Sequence, residues 1–287
     1  MTSGMPLAGS TPRARALLLA GLCVLPLVQC GRRAAPSRVP TGAALTVMTF
    51  NVNYGVDAHP DNLAAITDGD ADLVLLQETT ERAEAAIRAQ LSETYPYMVF
   101  SHCCGAGGLA VLSKYPIVQR QQLPPTVGWF PAERVVLATP MGQAQVLNVH
   151  LRPPVSDSGS WVSGYFSTRS LRGEEMEAFW REVDPDLPTI VAGDFNESRN
   201  GRAIGFLQSK GLRTVLPEVK PHATTWRWPT PLGTMRAQLD HIVVDERWRA
   251  TATDVVDTGR SDHLPVVATL TMRARPTVDD GAHGSLR

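Results

Sequence analysis

Short polar motifs stand at the ends of apolar runs at six points along this chain of 287 residues. Their reactive groups are carboxylates, carboxamides and imidazoles, and no motif places a serine or a cysteine as a nucleophile. This inventory suits the binding of a hard cation and the activation of water at phosphorus. The six segments are residues 49–53, 77–79, 148–150, 193–196, 239–241 and 261–263.

The length and composition admit an ordinary globular protein. A chain of 287 residues can form one large domain or two small ones. Its content of 43% hydrophobic and 19% charged residues is ordinary for a globular protein. The formal net charge of -1 gives no general electrostatic argument for or against a nucleic-acid partner.

Residues 1–30 are predicted to be a signal peptide and not part of the fold. Arg13 and Arg15 form a basic region, and the apolar stretch at residues 16–28 follows it. This stretch has the length of a secretory core and is short for a membrane-spanning helix. We therefore expect export, and an uncleaved N-terminal anchor is the alternative.

The signal ends in a segment, residues 27–31, that resembles a bacterial lipoprotein cleavage box with Cys30 as the lipidated residue. Gln29 departs from this pattern, which usually has a small residue there. The expected location is the cell envelope, with a membrane tether through Cys30, or the exterior as a secreted protein.

The remaining chain is divided by composition. Residues 31–43 are predicted to be a flexible tether, and residues 273–287 a disordered tail. No stretch between them has the length and composition of a linker, so residues 44–272 are predicted to form one domain.

Cys103 and Cys104 are adjacent in the sequence. Their spacing is unsuitable for a zinc site, so we expect either two free thiols or a local disulfide, which an oxidising compartment permits.

The apolar pattern alternates predicted strands and helices before becoming rich in strands. This order favours an α/β fold, a layered sandwich and not a singly wound parallel sheet. Helices are predicted at residues 80–91, 171–183 and 202–210. Strands are predicted at residues 44–52, 72–77, 109–113, 135–139, 144–151, 189–193, 224–228, 239–244, 253–257 and 265–272.

Asp194 and Asn196 follow the apolar run at residues 189–193. Both side chains can project into one cleft, where Asp accepts a proton or orients water and Asn donates hydrogen bonds to an oxyanion. An Asx turn that caps the next helix is an equally good interpretation.

Glu78 and Asn51 also end apolar runs. A buried carboxylate at a strand end is costly unless it is paired or bound to metal, which favours a ligand role for Glu78. A helix cap or an ion pair is the alternative for Glu78, and a turn is the alternative for Asn51.

Histidines accompany aspartates in two of the motifs. Asp262 precedes His263, Asp240 precedes His241, and His150 supplies a further imidazole. A histidine whose tautomer is fixed by a separate aspartate is a common general base or phosphate-polarising group. Because neighbouring side chains of a strand point to opposite faces, His241 is predicted to be structural.

Four further residues are assigned to structural roles. Arg169 and Arg172 are within reach of a substrate phosphate in the predicted layout, but a solvated helix face is the favoured interpretation. Trp226 and Trp228 share one strand face, for which core packing is favoured over base stacking or insertion into an apolar surface.

The ordered set of motifs resembles the endonuclease/exonuclease/phosphatase superfamily, the deoxyribonuclease-like group of metal-dependent phosphoesterases. Residues 108–117 are also similar to the central strand-and-turn signature of that group. The matching positions are Asn51, Glu78, His150, Asp194, Asn196, Asp240, Asp262 and His263. The resemblance implies a four-layer α/β sandwich of two packed, mostly antiparallel sheets flanked by helices, with residues 44–272 as the catalytic domain.

The resemblance also implies a metal site for Mg²⁺ or Mn²⁺. Glu78 would be the principal ligand, with Asn51 close by and Asp262 as a further ligand. Asp194 would orient or deprotonate the attacking water, and Asn196 would hold that water or the phosphoryl oxygens.

The resemblance assigns the remaining roles to imidazoles. His263, oriented by Asp240, would act as a base or stabilise the phosphate, and His150 would donate a proton to the phosphate or to the leaving oxygen.

The expected function is an exported phosphoester hydrolase, with a nuclease-like phosphodiesterase as the first hypothesis. A hydrolase of phospholipids or inositol phosphates is the alternative, and a non-catalytic surface-binding protein ranks lowest. A basic groove would favour nucleic acid as the substrate, and a hydrophobic hairpin beside the site would favour lipid.

Overall fold

The computed structural model describes residues 42–156, 159, 164 and 167–273. The predicted signal peptide with Cys30, nearly all of the predicted tether and nearly all of the predicted tail lie outside these residues. Among the described residues, no helix combines the length and the hydrophobicity needed to cross a bilayer.

The described residues form two six-stranded sheets and a separate two-stranded hairpin. The first large sheet joins four strands from the beginning of the described chain with its last two strands, and the second large sheet is formed by strands that lie between them in the sequence. The strands are β1 (Ala44–Asn51), β2 (Leu73–Gln77), β3 (Tyr97–Ser101), β4 (Leu109–Ser113), β5 (Ile117–Leu123), β6 (Ala132–Thr139), β7 (Gly142–His150), β8 (Thr189–Asp194), β9 (Arg213–Thr214), β10 (Trp226–Thr230), β11 (Gly233–Ala237), β12 (Asp240–Val244), β13 (Trp248–Val255) and β14 (Val266–Met272).

Helices connect several of these strands. They are α1 (Pro60–Asp68), α2 (Glu81–Leu91), α3 (Arg169–Trp180), α4 (Arg202–Ser209) and α5 (Leu216–Val219), with a 3₁₀ turn at Gly105–Gly107. The predicted helices at residues 80–91, 171–183 and 202–210 correspond to α2, α3 and α4. Thr80 caps α2 by accepting a hydrogen bond from the backbone N–H of Ala83, because a threonine oxygen can satisfy one of the free amides of the first turn.

Each six-stranded sheet contains one parallel pair among antiparallel neighbours. The first sheet has the order β13-β14-β1-β2-β4-β3, and the second has the order β5-β6-β7-β8-β12-β9. The parallel pairs are β1–β2 and β7–β8. Parallel strands need a crossover connection, and the crossovers contain α1 in the first sheet and α3 in the second.

The two sheets pack face to face, with helices on their outer faces. The core between the sheets joins residues such as Val47 and Leu75 of the first sheet with Val146 and Ile242 of the second. A second apolar cluster joins α1 and α2 to the first sheet, and a third joins α3 and α4 to the second. The predicted four-layer sandwich with mostly antiparallel sheets is therefore confirmed.

Several elements were not predicted, because their sequences lack a clear apolar pattern. The middle of β5 and nearly all of β11 are exposed, so these strands lack the alternation of apolar and polar residues that identifies a half-buried strand. The helix α1 begins with Pro60 directly after the cap His59 and buries the polar Asn62, which weakens its apolar stripe.

Buried side-chain hydrogen bonds cross between the two sheets near the ends of β2 and β7. Asn148 of the second sheet donates its amide to the carbonyl oxygens of Leu76 and Ala110 in the first, each at 3.0 Å. Gln77 donates to the Asn148 carboxamide oxygen at 2.7 Å. All the hydrogen-bonding atoms of the Asn148 side chain are thus used to hold the sheets in one relative position.

We predict that Asn148→Ala lowers the free energy of unfolding by about 3 kcal/mol, because it removes three buried hydrogen bonds: two to the carbonyl oxygens of Leu76 and Ala110 and one from the Gln77 amide. Urea denaturation followed by circular dichroism measures the change. Gln143→Ala, an exposed substitution on the same strand, is the control and should change stability little. Equal stabilities of the two variants would contradict a role for Asn148 between the sheets.

Candidate active site

The predicted site residues come together at one edge of the two sheets. Asn51 ends β1, and Glu78 follows the last residue of β2, its parallel neighbour. In the second sheet, Asp194 at the end of β8 lies opposite both His150 in β7 and Asp240 in β12. Strand pairing therefore brings together the two residues of the first sheet and the three of the second, and the packing of the two sheets places both groups at the same edge.

Gly193 allows β7 and β8 to approach each other closely before Asp194. Its φ is 151°, and a Cβ atom on it would lie 1.9 Å from the carbonyl oxygen of Val149. Only glycine fits this position, so the glycine of the motif fixes the position of the carboxylate that follows it.

Left-handed backbone is concentrated at the site. Among the described residues, four non-glycine residues have positive φ, and three of them are Asn53 (55°), Glu78 (62°) and Asn196 (51°). Such conformations cost free energy and persist only where the surrounding contacts enforce them. The backbone at the strand ends is therefore shaped to direct these side chains into the cleft.

Asp194 is the central residue of the site. Its Oδ2 accepts a hydrogen bond from the Asn51 amide at 3.1 Å and lies 3.5 Å from His150 Nε2 and 3.6 Å from His263 Nε2. Its Oδ1 accepts from the backbone N–H of Asn196 at 2.8 Å. The Asp194 side chain is buried, so these neighbours are the groups that hold its charge.

Asp240 and His263 form a buried pair. His263 Nδ1 lies 2.9 and 3.1 Å from the two carboxylate oxygens of Asp240, so this nitrogen is the donor. Burial opposes protonation of His263, but the carboxylates of Asp240 and Asp194 outweigh it and raise its pKa to about 10. Burial raises the pKa of Asp240, and the neighbouring imidazolium lowers it. At neutral pH the pair is an imidazolium held by carboxylates.

Glu78 and Asp194 suit a hard divalent cation. The Asn51 amide nitrogen donates to both carboxylates, at 2.9 Å to Glu78 Oε1 and 3.1 Å to Asp194 Oδ2, so the two negative groups face the same point. Two neighbouring carboxylates repel, and oxygen donors of this kind are preferred by Mg²⁺ and Mn²⁺. The donors therefore fit the expected metal. The oxygen of Asn51 accepts from the backbone N–H of Asn53, so its ligand role stays a prediction.

A second group of residues has potential ligand atoms close enough together to bind a metal ion. Asp194, Asp240 and His263 place ligand atoms within 4.8 Å of one another, and all three are buried. The 2.9 Å contact between His263 Nδ1 and Asp240 is also an ion pair, which by itself accounts for the closeness of these two groups. Which residues hold the cation stays a prediction.

Asp262 lies in the same cleft and is held by two side chains. Its Oδ1 accepts from the Asn53 amide and its Oδ2 from the Trp226 indole, each at 2.8 Å. A carboxylate oxygen can accept more than one partner, so both oxygens of Asp262 can still bind a cation, as the prediction for this residue requires.

His150 contacts the protein on two sides. Its Nδ1 donates to the carbonyl oxygen of Ala106 at 3.1 Å, and its ring stacks on Phe130 with centroids 4.5 Å apart. Its Nε2 faces Asp194 at 3.5 Å and Glu78 at 3.9 Å. These contacts fix the ring so that Nε2 is the nitrogen available to a substrate.

These residues line a cavity of about 570 Å³. One wall is apolar and includes Phe130, Trp226, Met235 and Leu239. The lining of the whole cavity includes two arginines, Arg169 and Arg172, and four carboxylates. The carboxylates belong to Glu78, Asp194, Glu197 and Asp262. The described part of the cavity is therefore not a basic groove.

The tryptophan prediction was wrong. Trp226 and Trp228 stack on each other, with centroids 6.4 Å apart and planes within 8°, but Trp226 lines the cavity and Trp228 is 51% exposed. Their spacing correctly placed them on one face, but sequence alone does not show that β10 forms a two-stranded hairpin with β11, separate from both large sheets.

The prediction of a solvated helix face was wrong for Arg172. Its side chain is 2% exposed and lies 3.3 Å from the carboxylate of Glu197, which also caps α4 by accepting from the backbone N–H of Arg202 and Ile204. Arg169, in contrast, lines the cavity and is exposed. The Arg172–Glu197 ion pair could not be predicted from the sequence, because the two residues are far apart in the chain.

His241 points away from the catalytic cleft, as strand alternation predicts. Its Nε2 donates to the carbonyl oxygen of Glu197 at 2.9 Å, and its ring contacts Phe195 edge-on. Burial lowers its pKa to about 4, although the Glu197 hydrogen bond and the charge of Asp194 oppose that shift. The side chain is thus a neutral, hydrogen-bonded part of the core.

The fold and this chemistry together define a phosphoester hydrolase. The model of the Endonuclease/Exonuclease/phosphatase family matches residues 48–263, and the chain belongs to this family. Enzymes of the family are metal-dependent phosphoester hydrolases. No curated protein sequence matches the chain.

Solved structures share the fold at low sequence identity. An endonuclease/exonuclease/phosphatase from Beutenbergia cavernae has a TM-score of 0.64 at 19% identity, over 80% of this chain and 72% of the other. TDP2 from D. rerio, complexed with a single-strand DNA product, has 0.63 at 16%, over 80% and 100%. Sphingomyelinase C from Streptomyces griseocarneus has 0.55 at 20%, over 79% and 99%.

We predict that His241 makes the protein sensitive to acid. In the unfolded chain the His241 imidazole is protonated below its ordinary pKa of 6.5, whereas in the folded protein it stays neutral down to about pH 4. This group therefore stabilises the fold above pH 6.5, and its contribution of up to about 3 kcal/mol is lost as the pH falls through that window.

The measurement is the free energy of unfolding from urea titrations between pH 7 and about pH 4. His241→Gln should lose less stability across this range than the wild-type protein, whatever its stability at pH 7. His222→Gln, an exposed control, should follow the wild-type curve. Parallel curves for all three proteins would refute the prediction.

Proposed function

We propose that this protein is a metal-dependent phosphodiesterase in which Asp194 activates the attacking water. The observation that carries the proposal is the convergence of Asn51, His150 and His263 on the Asp194 Oδ2 atom, at 3.1, 3.5 and 3.6 Å. A buried carboxylate that faces two imidazoles can orient a water, take its proton and keep its own charge balanced. This arrangement suits in-line attack at phosphorus.

The two imidazoles differ in their environment, and the difference suggests a division of roles. His263 is kept cationic by Asp240 and Asp194, so it is suited to donate a hydrogen bond to a phosphoryl oxygen as charge develops there. His150 lies on the other side of Asp194, with Nε2 directed into the cleft, and is suited to the leaving oxygen. Of the two roles left open for His263, this favours phosphate stabilisation over general-base catalysis.

Glu78 would hold the cation, with Asp262 and Asn51 as further donors in the same cleft. When bound, Mg²⁺ or Mn²⁺ supplies positive charge that neutralises the phosphoryl group. Asn196 has positive φ, and its side-chain amide donates to the carbonyl oxygen of Leu151 at 3.0 Å. This contact fixes the carboxamide beside Asp194, where its oxygen can contact the water.

We predict that removing the cation or the Asp194 charge abolishes turnover without unfolding the protein. Asp194→Asn should lower kcat by about a hundredfold to ten-thousandfold, because the amide does not accept the proton of the water. Chelation with EDTA should abolish hydrolysis of a generic phosphodiester such as bis(4-nitrophenyl) phosphate, and added Mg²⁺ or Mn²⁺ should restore it.

Asp186→Asn makes the same chemical change at an exposed position and is the control. Thermal unfolding of both variants separates loss of activity from loss of fold. Undiminished turnover in EDTA, or wild-type kcat in Asp194→Asn, would refute the proposal.

The hairpin beside the cavity bears on the substrate class. Leu232 at its turn is 101% exposed, Met235 is 57% exposed and Trp228 is 51% exposed. Trp226 and Met235 continue this apolar surface into the cavity wall. A contiguous exposed apolar surface of this kind marks a site of interaction with another apolar surface.

These features favour a phospholipid-class phosphodiester over the polynucleotide that the sequence ranked first. A polynucleotide is held mainly by contacts of its phosphates with Lys and Arg, whereas the cavity lining carries more carboxylates than guanidinium groups. The stacked Trp226 and Trp228 suit a base as well, and a nuclease-like activity is the second candidate. The TDP2 structure complexed with single-strand DNA product belongs to the same fold.

Export and a membrane tether through Cys30 form part of the same proposal. They rest on the basic and apolar regions of residues 1–30 and on the lipoprotein-like box. A tether at a membrane would place the hairpin close to lipid. Incorporation of labelled palmitate into the wild-type chain but not into Cys30→Ser tests this point.

We predict that the hairpin substitutions Leu232→Ser and Met235→Ser lower the hydrolysis of sphingomyelin or phosphatidylcholine vesicles about tenfold, because each removes the transfer free energy of one apolar side chain. Leu232→Ser, whose side chain is not part of the cavity lining, should hydrolyse the soluble diester at the wild-type rate. Val118→Ser changes a similarly exposed apolar residue (46%) on β5 and is the control. Turnover of DNA or RNA without turnover of vesicles would support the nuclease alternative and exclude the lipid assignment.

A further inference from the structure

Cys103 and Cys104 form a disulfide in the loop between β3 and β4. A bond between adjacent cysteines closes a small covalent ring and restricts the backbone of both residues. Cys104 is exposed and Cys103 is half-buried, so a soluble reductant has access to the bond. The sequence left these thiols as either free or locally bridged, and the structure has the bridge.

The loop that contains this disulfide also contains the hydrogen-bond partner of His150. Ala106 lies two residues beyond Cys104 in the chain and accepts the Nδ1 proton of His150 at 3.1 Å. The backbone N–H of Gly107 donates back to the carbonyl oxygen of Cys104 at 3.2 Å, which closes the turn around Ala106. The position of the Ala106 carbonyl therefore depends on the backbone of Cys104.

The disulfide is also close to the aromatic ring that stacks on His150. A Cβ atom on Gly107 would lie 3.0 Å from Phe130, 3.1 Å from the sulfur of Cys104 and 3.2 Å from that of Cys103. The sulfurs, Gly107 and Phe130 are thus packed tightly together, so a Cβ atom on Gly107 would require its neighbours to shift by a few tenths of an ångström. Two contacts of the His150 ring, with the Ala106 carbonyl and with the Phe130 face, are therefore made by groups in the disulfide loop or packed against it.

The loop is anchored on either side of the disulfide but not within it. On one side, His102 contacts the carboxylate of Glu84; on the other, the carbonyl oxygen of Gly108 accepts from the backbone N–H of Thr79 at 3.1 Å. Between these anchors, the covalent ring and the hydrogen bond from Gly107 to Cys104 restrain the backbone that precedes Ala106.

We propose that the Cys103–Cys104 disulfide is a positioning element for His150, and that its reduction by a thiol lowers turnover. In the reaction, a dithiol reductant gives two electrons and two protons to the bond; the S–S bond breaks, two protein thiols form, and the reductant becomes a disulfide. The phosphine TCEP gives the same two protein thiols, with water as the source of the protons and of the oxygen in the phosphine oxide that forms. The backbone of residues 103–107 then loses its covalent restraint. The Ala106 carbonyl no longer holds the His150 ring in one orientation.

This inference rests on the proposed function only for its effect on turnover, and one readout is independent of activity. In the full chain with Cys23→Ala and Cys30→Ala, Cys103 and Cys104 are the only thiols. NMR of the histidine ring nitrogens, with His150→Gln to assign the signal, should show Nδ1 protonated and hydrogen-bonded in the oxidised protein. The signal should shift after treatment with TCEP, and oxidised glutathione should return it.

The kinetic readout uses the same protein, with the reductant removed before the assay so that the metal is unaffected. Reduction should lower kcat on the soluble diester between about tenfold and a hundredfold, as expected for a displaced catalytic group. KM should change less, because the cavity wall is otherwise intact. Cys103→Ser with Cys104→Ser should match the reduced protein and should be insensitive to TCEP.

Gly107→Ala provides a second route to the same displacement, because its methyl group pushes against Phe130 and both sulfurs while the disulfide stays intact. Its kcat should fall in the oxidised state, with the folded state retained in thermal unfolding. Failure of oxidised glutathione to close the bond, an unchanged His150 signal on reduction, or equal kcat in both redox states would each overturn the inference. Absence of turnover in the oxidised protein would overturn the proposed function, while the NMR comparison would still decide this inference.

Discussion

The hydrogen bonds of Asn148 across the interior determine where the site can form. The two sheets contact each other mainly through apolar side chains, and such contacts are not directional. Asn148 and Gln77 add directional contacts at one end of the interface. Glu78 follows Gln77 directly, and His150 lies two residues beyond Asn148, so the register of this polar contact also sets the separation of the proposed metal ligand from the catalytic imidazole.

The groups that stabilise the negative charge of Asp194 come from several elements of the fold. The carboxylate needs positive or donor groups on several sides because it is buried. The neighbours come from both sheets and from the loop before β14, so the complete set exists only in the folded protein. The Asp240–His263 pair contributes a cation that remains charged at neutral pH.

The sequence predicted the strands that end at the site, since a buried apolar run followed by a carboxylate or an imidazole is recognisable locally. It also predicted the four-layer sandwich and the orientation of His241. It did not predict exposed elements such as β5 and β11, which have no apolar face to detect. The burial of Arg172 and the exposure of Trp228 were also missed, because both depend on which distant segments become neighbours.

The hairpin of β10 and β11 is joined to the catalytic residues through its backbone. Arg227 donates to the carbonyl oxygen of Asp262 at 2.9 Å, and Trp226 pairs with His263 in an isolated bridge. The hairpin makes no ladder with either six-stranded sheet. Asp262 and His263 therefore share backbone hydrogen bonds with the hairpin, so a shift of the hairpin would also move these two residues of the site.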